Sequence, residues 1–241
     1  SGTDYKIIDT YGSSPNLEYS SRWDGGSYSS VAYAAEQKAD GSYCLAIKSE
    51  SIYNGNSDTT WSIYNLSISG SNALLDWSNS LYSVNITEYE TDFGQDLNGD
   101  SVIGFNSSTF QTITSDTAGV GLKKDSEGFI YIVDAEGNNP ISLSDSYGYT
   151  PQIEYTYTYS DSSYSSEAKA VTLIDAETDY YALAVKQTDT YDGVNNENWQ
   201  IYKISLEGII DWEGTNYTKS IVPWEDEFGQ DLNGDNDFSG T

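Results

Sequence analysis

The sequence has no histidine, no methionine, one cysteine and four prolines, and sets only 10 Lys and Arg against 38 Asp and Glu. Without histidine there can be no Ser-His-Asp triad, no Cys-His pair and no imidazole-ligated metal. One cysteine excludes an intramolecular disulfide framework. Cys44 lies in the apolar run Tyr43-Cys44-Leu45-Ala46-Ile47 and reads as a small buried hydrophobe, with no base to activate it. The formal net charge of −28 argues against nucleic acid, whose phosphates need facing cations, and against anionic membrane surfaces. No apolar run approaches the ~20 residues of a membrane-spanning helix, so membrane insertion is not expected. No secretory leader precedes the first strand-like segment, and the chain reads as an excised or mature piece.

The 241 residues are 37% hydrophobic and 14% aromatic, with 22 Tyr against 6 Phe and 6 Trp. That is too apolar for a disordered chain and long enough for one large or two modest domains. The acidic, Tyr- and Ser-rich, Cys-poor composition suits a bacterial extracellular module.

Internal self-similarity sets the organisation. Tyr11-Gly12-Ser13-Ser14-Pro15 recurs as Tyr147-Gly148-Tyr149-Thr150-Pro151, and Ser27-Tyr28-Ser29-Ser30 as Ser163-Tyr164-Ser165-Ser166. Tyr43-Cys44-Leu45-Ala46-Ile47-Lys48 matches Tyr181-Ala182-Leu183-Ala184-Val185-Lys186, and Trp61-Ser62-Ile63-Tyr64 matches Trp199-Gln200-Ile201-Tyr202. Asp76-Trp77 matches Asp211-Trp212, and Phe93 through Asp100 recurs unchanged as Phe228 through Asp235. Residues 105–144 have no earlier counterpart. The expected domains are therefore 1–104, a unit lacking its start, and 105–241, a complete one. The matched Trp61, Trp199, Trp77 and Trp212 are expected in the core.

The pattern predicts an all-β fold of two tandem homologous antiparallel β-sandwich-like units, each ending in a short helix and a D-x-N-x-D calcium loop. Tyr43, Leu45 and Ile47 alternate with Cys44 and Ala46, a period of two with large residues on one face and small ones on the other. Strands are expected from Trp61 and Trp199, after turn-forming loops at Asn54–Asp58 and Asp192–Asn196. Short helices are placed near Thr87–Phe93, with Thr87 as cap, and near Pro223–Phe228, with Pro223 in the first turn.

Asp96-Leu97-Asn98-Gly99-Asp100-Ser101-Val102-Ile103-Gly104 has the D-x-N-x-D spacing of a calcium loop. Alternate residues of a tight loop can turn oxygens toward one centre, so Asp96, Asn98 and Asp100 take positions 1, 3 and 5. The Val102 carbonyl takes position 7, while Leu97 and Ile103 anchor the loop. In the second copy Asp231, Asn233 and Asp235 repeat the triplet, and Asp237 stands at position 7. Oxygen-only donors favour Ca²⁺, about one per unit, over Zn²⁺ or Cu²⁺. The plainer reading, a polar turn, loses ground to the duplication. The loop is not an EF-hand. Its position 12 falls at Ser107, and position 6 is Ser101 or Asn236 rather than Gly.

The loops resemble the shorter calcium loops of dockerin-type modules, in which other segments complete the shell. The matched acids Glu90 and Glu225 are taken as the completing ligands. The stretch Tyr89–Gly104, with the Trp61–Leu66 strand and Trp77, resembles the tryptophan-rich repeat domain of large cyanobacterial and marine-bacterial secreted proteins, often found beside hemolysin-type calcium repeats. The resemblance implies a non-enzymatic, extracellular or cell-surface module with a structural or adhesive role, neighbouring further units of a parent chain. The Gly-Gly-x-Gly-x-Asp nonapeptides of hemolysin-type repeats are absent, so the chain is not itself a calcium β-roll.

Two alternatives stand beside this reading. One is calcium-dependent carbohydrate binding, the partner then being a glycan or other cell-surface ligand. Tyr155, Tyr157 and Tyr159 alternate along one strand, and Trp23 has no Trp at the matching place, although cross-strand packing is the plainer explanation. The other is a glycan-active enzyme working through two carboxylates. Acids are too numerous to single out a pair, and no catalytic residue is assigned.

Overall fold

A computed structural model describes residues 4–106, 108–114, 119–159, 161–174 and 179–237, with the backbone alone at 79 and 83. Ser107 lies outside the described residues. The fold is mostly β, with antiparallel sheets, and divides into two compact units at Ser1–Phe105 and Asn106–Thr241. No helix among the described residues is long and apolar enough to cross a membrane.

The first unit is one six-stranded sheet. Its strands are β1 (Lys6–Asp9), β2 (Tyr19–Trp23), β3 (Gly26–Gln37), β4 (Tyr43–Tyr53), β5 (Asn56–Ser69) and β6 (Asn72–Val84), in the order β1-β6-β5-β4-β3-β2. Only β1 pairs in parallel, with β6. A 3-10 turn at Ile86–Glu88 and helix α1 (Glu90–Phe93) follow. The period of two gives this sheet two apolar faces. On one face Ala34, Cys44 and Ala46 leave room for Phe93 and Leu97, beside Trp61 and Ile63. On the other, Leu45, Ile47, Tyr64, Leu66 and Leu75 are covered by Tyr5, Ile7 and Leu17. Each fully buried Leu or Ile contributes about 1.5–3 kcal/mol. Cys44 is completely buried, and desolvation pushes its thiol pKa up.

The second unit has two sheets. The strands β7 (Gln111–Thr114), β8 (Val120–Lys124), β9 (Ile130–Asp134) and β10 (Ile141–Ser142) form one. The other runs in order through β11 (Tyr155–Tyr159), β12 (Ser162–Ile174), β13 (Tyr180–Tyr191), β14 (Val194–Ile204) and β15 (Ile210–Thr218), and helix α2 (Val222–Phe228) follows. Leu122, Ile130 and Ile132 of the first sheet pack with Leu183, Val185 and Ile204 of the second. The opposite face repeats the arrangement of the first unit, with Phe228 over Ala170, Ala182 and Ala184 beside Trp199 and Ile201. Two facing sheets are thus present here, whereas the described residues of the first unit form a single sheet.

Corresponding strands carry corresponding irregularities. Register shifts between Ala32 and Ala34 in one unit and between Ala168 and Ala170 in the other. Lys48 lies 5.8 Å from the Trp61 ring, and Lys186 lies 5.9 Å from that of Trp199.

Three expectations need correction. The turns after β4 and β13 are two-residue turns, Asn54-Gly55 and Asp192-Gly193, with φ of 50° and 83° and of 48° and 76°. These are left-handed conformations that Asn, Asp and Gly tolerate, matching the twist of a hairpin. The strands therefore begin at Asn56 and Val194, earlier than expected, because the polar residues that follow belong to strand arms with both faces in solvent. Trp77 and Trp212 are not core. They are 41% and 45% exposed and stand edge-on to Tyr64 and Tyr202, at 5.4 and 5.6 Å. Asn85, not Thr87, caps the first turn, its side chain accepting from the Thr87 amide. Thr87 serves the loop described next.

Candidate metal-binding loops

In both units a short helix ends at a glycine in the left-handed region, Gly94 (φ 61°) and Gly229 (φ 60°), and the acidic loop follows directly. Leu97 is buried in the core cluster of Phe93 and Trp61, so the loop is tied to the sheet. Leu232 packs in the same way against the second unit's cluster. Ile103, expected as a second anchor, is 49% exposed.

The first loop is a ladder of side-chain acceptors and backbone donors. Asp96 Oδ1 accepts from Gly99 N (2.7 Å) and Oδ2 from Ser101 N (2.8 Å). Asn98 Oδ1 accepts from Asp100 N (2.9 Å), and Asp100 Oδ1 from Val102 N (2.8 Å). The second loop repeats this bond for bond. Asp231 accepts from Gly234 N (2.6 Å) and Asn236 N (2.7 Å), Asn233 from Asp235 N (2.7 Å), and Asp235 from Asp237 N (2.8 Å). Position 6 is left-handed in both, at Ser101 (φ 72°) and Asn236 (φ 67°). EF-hand calcium loops place glycine at that position. Serine is strained there, whereas asparagine tolerates the conformation, and the ladder holds both.

Glu90 and Glu225, expected as completing ligands, lie at the base of these loops and are fully buried. Glu90 Oε1 accepts from Leu97 N (2.8 Å) and Asn98 N (2.9 Å), and Oε2 accepts from Gly104 N (2.8 Å). Glu225 Oε1 accepts from Leu232 N (2.8 Å) and Asn233 N (2.9 Å). A buried carboxylate without a cation needs such donors. Both glutamates thus anchor loop amides. Asp92 is engaged elsewhere, 3.0 Å from Lys38.

Among the described residues the loops differ at the asparagine side chain. Asn98 Nδ2 donates to Thr87 Oγ1 at 2.9 Å. The equivalent of Thr87 in the second copy is Val222, which has no acceptor. There Asn233 Nδ2 turns to Asp235 Oδ2 (3.0 Å) and Glu225 Oε2 (3.4 Å).

Each loop offers a metal two Asp and one Asn as side-chain oxygen donors, with the Val102 carbonyl or Asp237 following in chain order. Among the described residues there is no cluster of three or more Asp, Glu or Cys side chains arranged for a metal. Phe238, next after Asp237 in the second loop, lies outside the described residues.

No protein family, curated protein or solved structure matches the chain.

Proposed function

We propose that the chain is a non-enzymatic, calcium-binding module of a secreted or cell-surface protein, made of two tandem homologous units that each end in a short helix and a calcium loop. Its role in this reading is structural or adhesive, next to further units of a parent chain. The observation that carries it is the paired loops. Two segments with the same D-x-N-x-D sequence adopt the same ladder, with the same left-handed sixth residue, on the same buried glutamate. Asp96, Asn98 and Asp100, and Asp231, Asn233 and Asp235, would hold the ions, with Glu90 and Glu225 fixing the loop backbone beneath them. Bound calcium would neutralise clustered carboxylates in a chain of charge −28 and pin the loop to the sheet.

The test is calcium titration by calorimetry with parallel melting curves, on the wild type and on Asp96→Ala/Asp231→Ala. Two binding events are expected. At one hundred times the dissociation constant each ion adds about 2.7 kcal/mol to the stability of the state it binds. The double variant should lose both the heat and the thermal shift. Wild type that shows neither at millimolar calcium would reduce the loops to polar turns and remove the calcium reading.

A further inference from the structure

Beyond the bulged segments, both sheets run on as four-stranded arms with one aromatic face. In the second unit, cross-strand pairing aligns Tyr159, Ser162, Tyr191 and Val194 in one row. The next row on the same face is Tyr157, Tyr164, Asp189 and Asn196, and the third is Tyr155, Ser166, Gln187 and Asn198. At strand spacings of about 4.8 Å and a rise of about 3.4 Å per residue, this grid covers roughly 14 by 14 Å. Tyr157, Tyr159 and Tyr191 are 48%, 69% and 62% exposed.

The first unit carries the same grid. Its outer row is Trp23, Gly26, Tyr53 and Asn56, with Tyr28 in the second row and Tyr19 in the third. Trp23 occupies the place of Tyr159, so the aromatic that seemed unmatched in the sequence has an aromatic counterpart. A Cβ on Gly26 would come within 2.7 Å of the Trp23 indole, so the ring lies on the glycine while remaining 48% exposed. Tyr19 and Tyr28 stand 6.2 Å apart, and their counterparts Tyr155 and Tyr164 stand 5.7 Å apart. Polar positions between them have changed freely, Ser51 to Asp189 and Asp58 to Asn196. The aromatic positions are aromatic in both units, the exception being Tyr157, whose place Ser21 takes in the first unit, although folding does not require aromatics at exposed sites.

Charge selects among occupants. Neither grid contains Lys or Arg, and each contains an Asp. A phosphate- or sulfate-bearing polymer would be repelled, and so would a second copy of a chain with net charge −28. An uncharged polyol is not repelled. Exposed aromatic planes present apolar surface for the C–H faces of pyranose rings, while Asp, Asn and Gln at neighbouring grid points can bond ring hydroxyls. At its Tyr155 end lies a polar cleft of about 520 Å³ lined in part by Gln111, Gln152 and two lysines, Lys124 and Lys169, each paired with a glutamate, Glu154 and Glu167.

We propose that the aromatic arm of each unit is a stacking platform for an uncharged polysaccharide. The platform shares no residue with the acidic loops, so it does not depend on the calcium reading.

The test is depletion of the full chain from solution by cellulose, chitin, xylan and insoluble β-1,3-glucan, followed by calorimetry with the hexaose of whichever glycan binds. Each is run in calcium and in EDTA. Binding to at least one neutral glycan is expected, with Trp23 fluorescence shifting on binding. Tyr53→Ala/Tyr191→Ala should lower affinity at least tenfold without lowering the melting temperature appreciably, and Tyr53→Phe/Tyr191→Phe should restore it. Binding that persists in a folded Asp96→Ala/Asp231→Ala variant would leave the platform standing even if the calcium reading fails. Three results would overturn the proposal: no depletion by any neutral glycan, equal binding by wild type and the alanine variant, or binding confined to heparin or alginate.

Discussion

Replacing Glu90 by Gln tests the claim that a buried carboxylate holds the first loop. The perturbation changes almost no volume and removes the charge. Glu90 is fully buried and accepts three backbone N–H groups, from Leu97, Asn98 and Gly104. A glutamine has one acceptor oxygen. If that oxygen stays with Leu97 and Asn98, the side-chain NH₂ faces the Gly104 N–H, donor against donor. One charge-assisted bond worth about 1.5–3 kcal/mol is lost, and a buried amide is left unsatisfied at about 1–3 kcal/mol. The sum is about 2.5–6 kcal/mol, a large part of the ~5–15 kcal/mol that holds a typical domain together. Urea unfolding in EDTA keeps any bound metal out of the comparison, and hydrogen exchange of residues 97–104 locates the effect. The expected outcome is a marked loss of stability with fast exchange confined first to the loop. Glu225→Gln should act in the same direction on the second unit. If both variants unfold within about 0.5 kcal/mol of wild type, the anchoring argument is refuted.

Two further predictions concern the second unit. Gly208 has φ +89°, and a Cβ there would sit 2.1 Å from the Ser142 carbonyl oxygen. Gly208→Ala should therefore destabilise by more than ~3 kcal/mol. Gly193→Ala, at φ +76° with nothing within 4 Å, should show only the backbone penalty of about 1–2 kcal/mol, and equal melting temperatures for the two would contradict this. Burial raises the Asp125 pKa above the ordinary carboxylate value, against hydrogen bonds from Tyr131 and from the Phe129 and Glu127 amides. A raised folded-state pKa favours folding while the group is protonated, and that contribution is lost as pH rises through it. The stability of wild type relative to Asp125→Asn should fall as pH climbs from about 4, and urea midpoints that diverge the other way would refute the assignment.

Periodicity made the β class and the strands around Tyr43–Ile47 legible, because alternation of large and small side chains is a local property. The acidic motif was legible for the same reason. The polar arms were not, since a strand solvated on both faces has no apolar period to detect. Residues 56–60 and 194–198 look like loop until cross-strand pairing orders them. Repetition also misled. Trp77 and Trp212 match between the copies as well as Trp61 and Trp199 do, yet one pair is exposed and the other buried. Matching marks positions that persist, and persistence has causes other than burial.

The sequence by itself determined the chemistry available: oxygen donors without imidazole, a surplus of carboxylates, aromatics dominated by tyrosine, and the repeated blocks. All of these are counts and spacings along one chain. Tertiary structure decided which groups meet. It buried Glu90 and Glu225 under loop amides, because those amides come from residues seven and more positions further along and reach the carboxylate only once Leu97 or Leu232 docks on the sheet. It set Ser101 in a left-handed conformation that serine does not favour, at the place where Asn236 adopts it more readily. It also drew tyrosines from separate strands into one exposed plane, since only strand register brings residues distant in the chain to the same face.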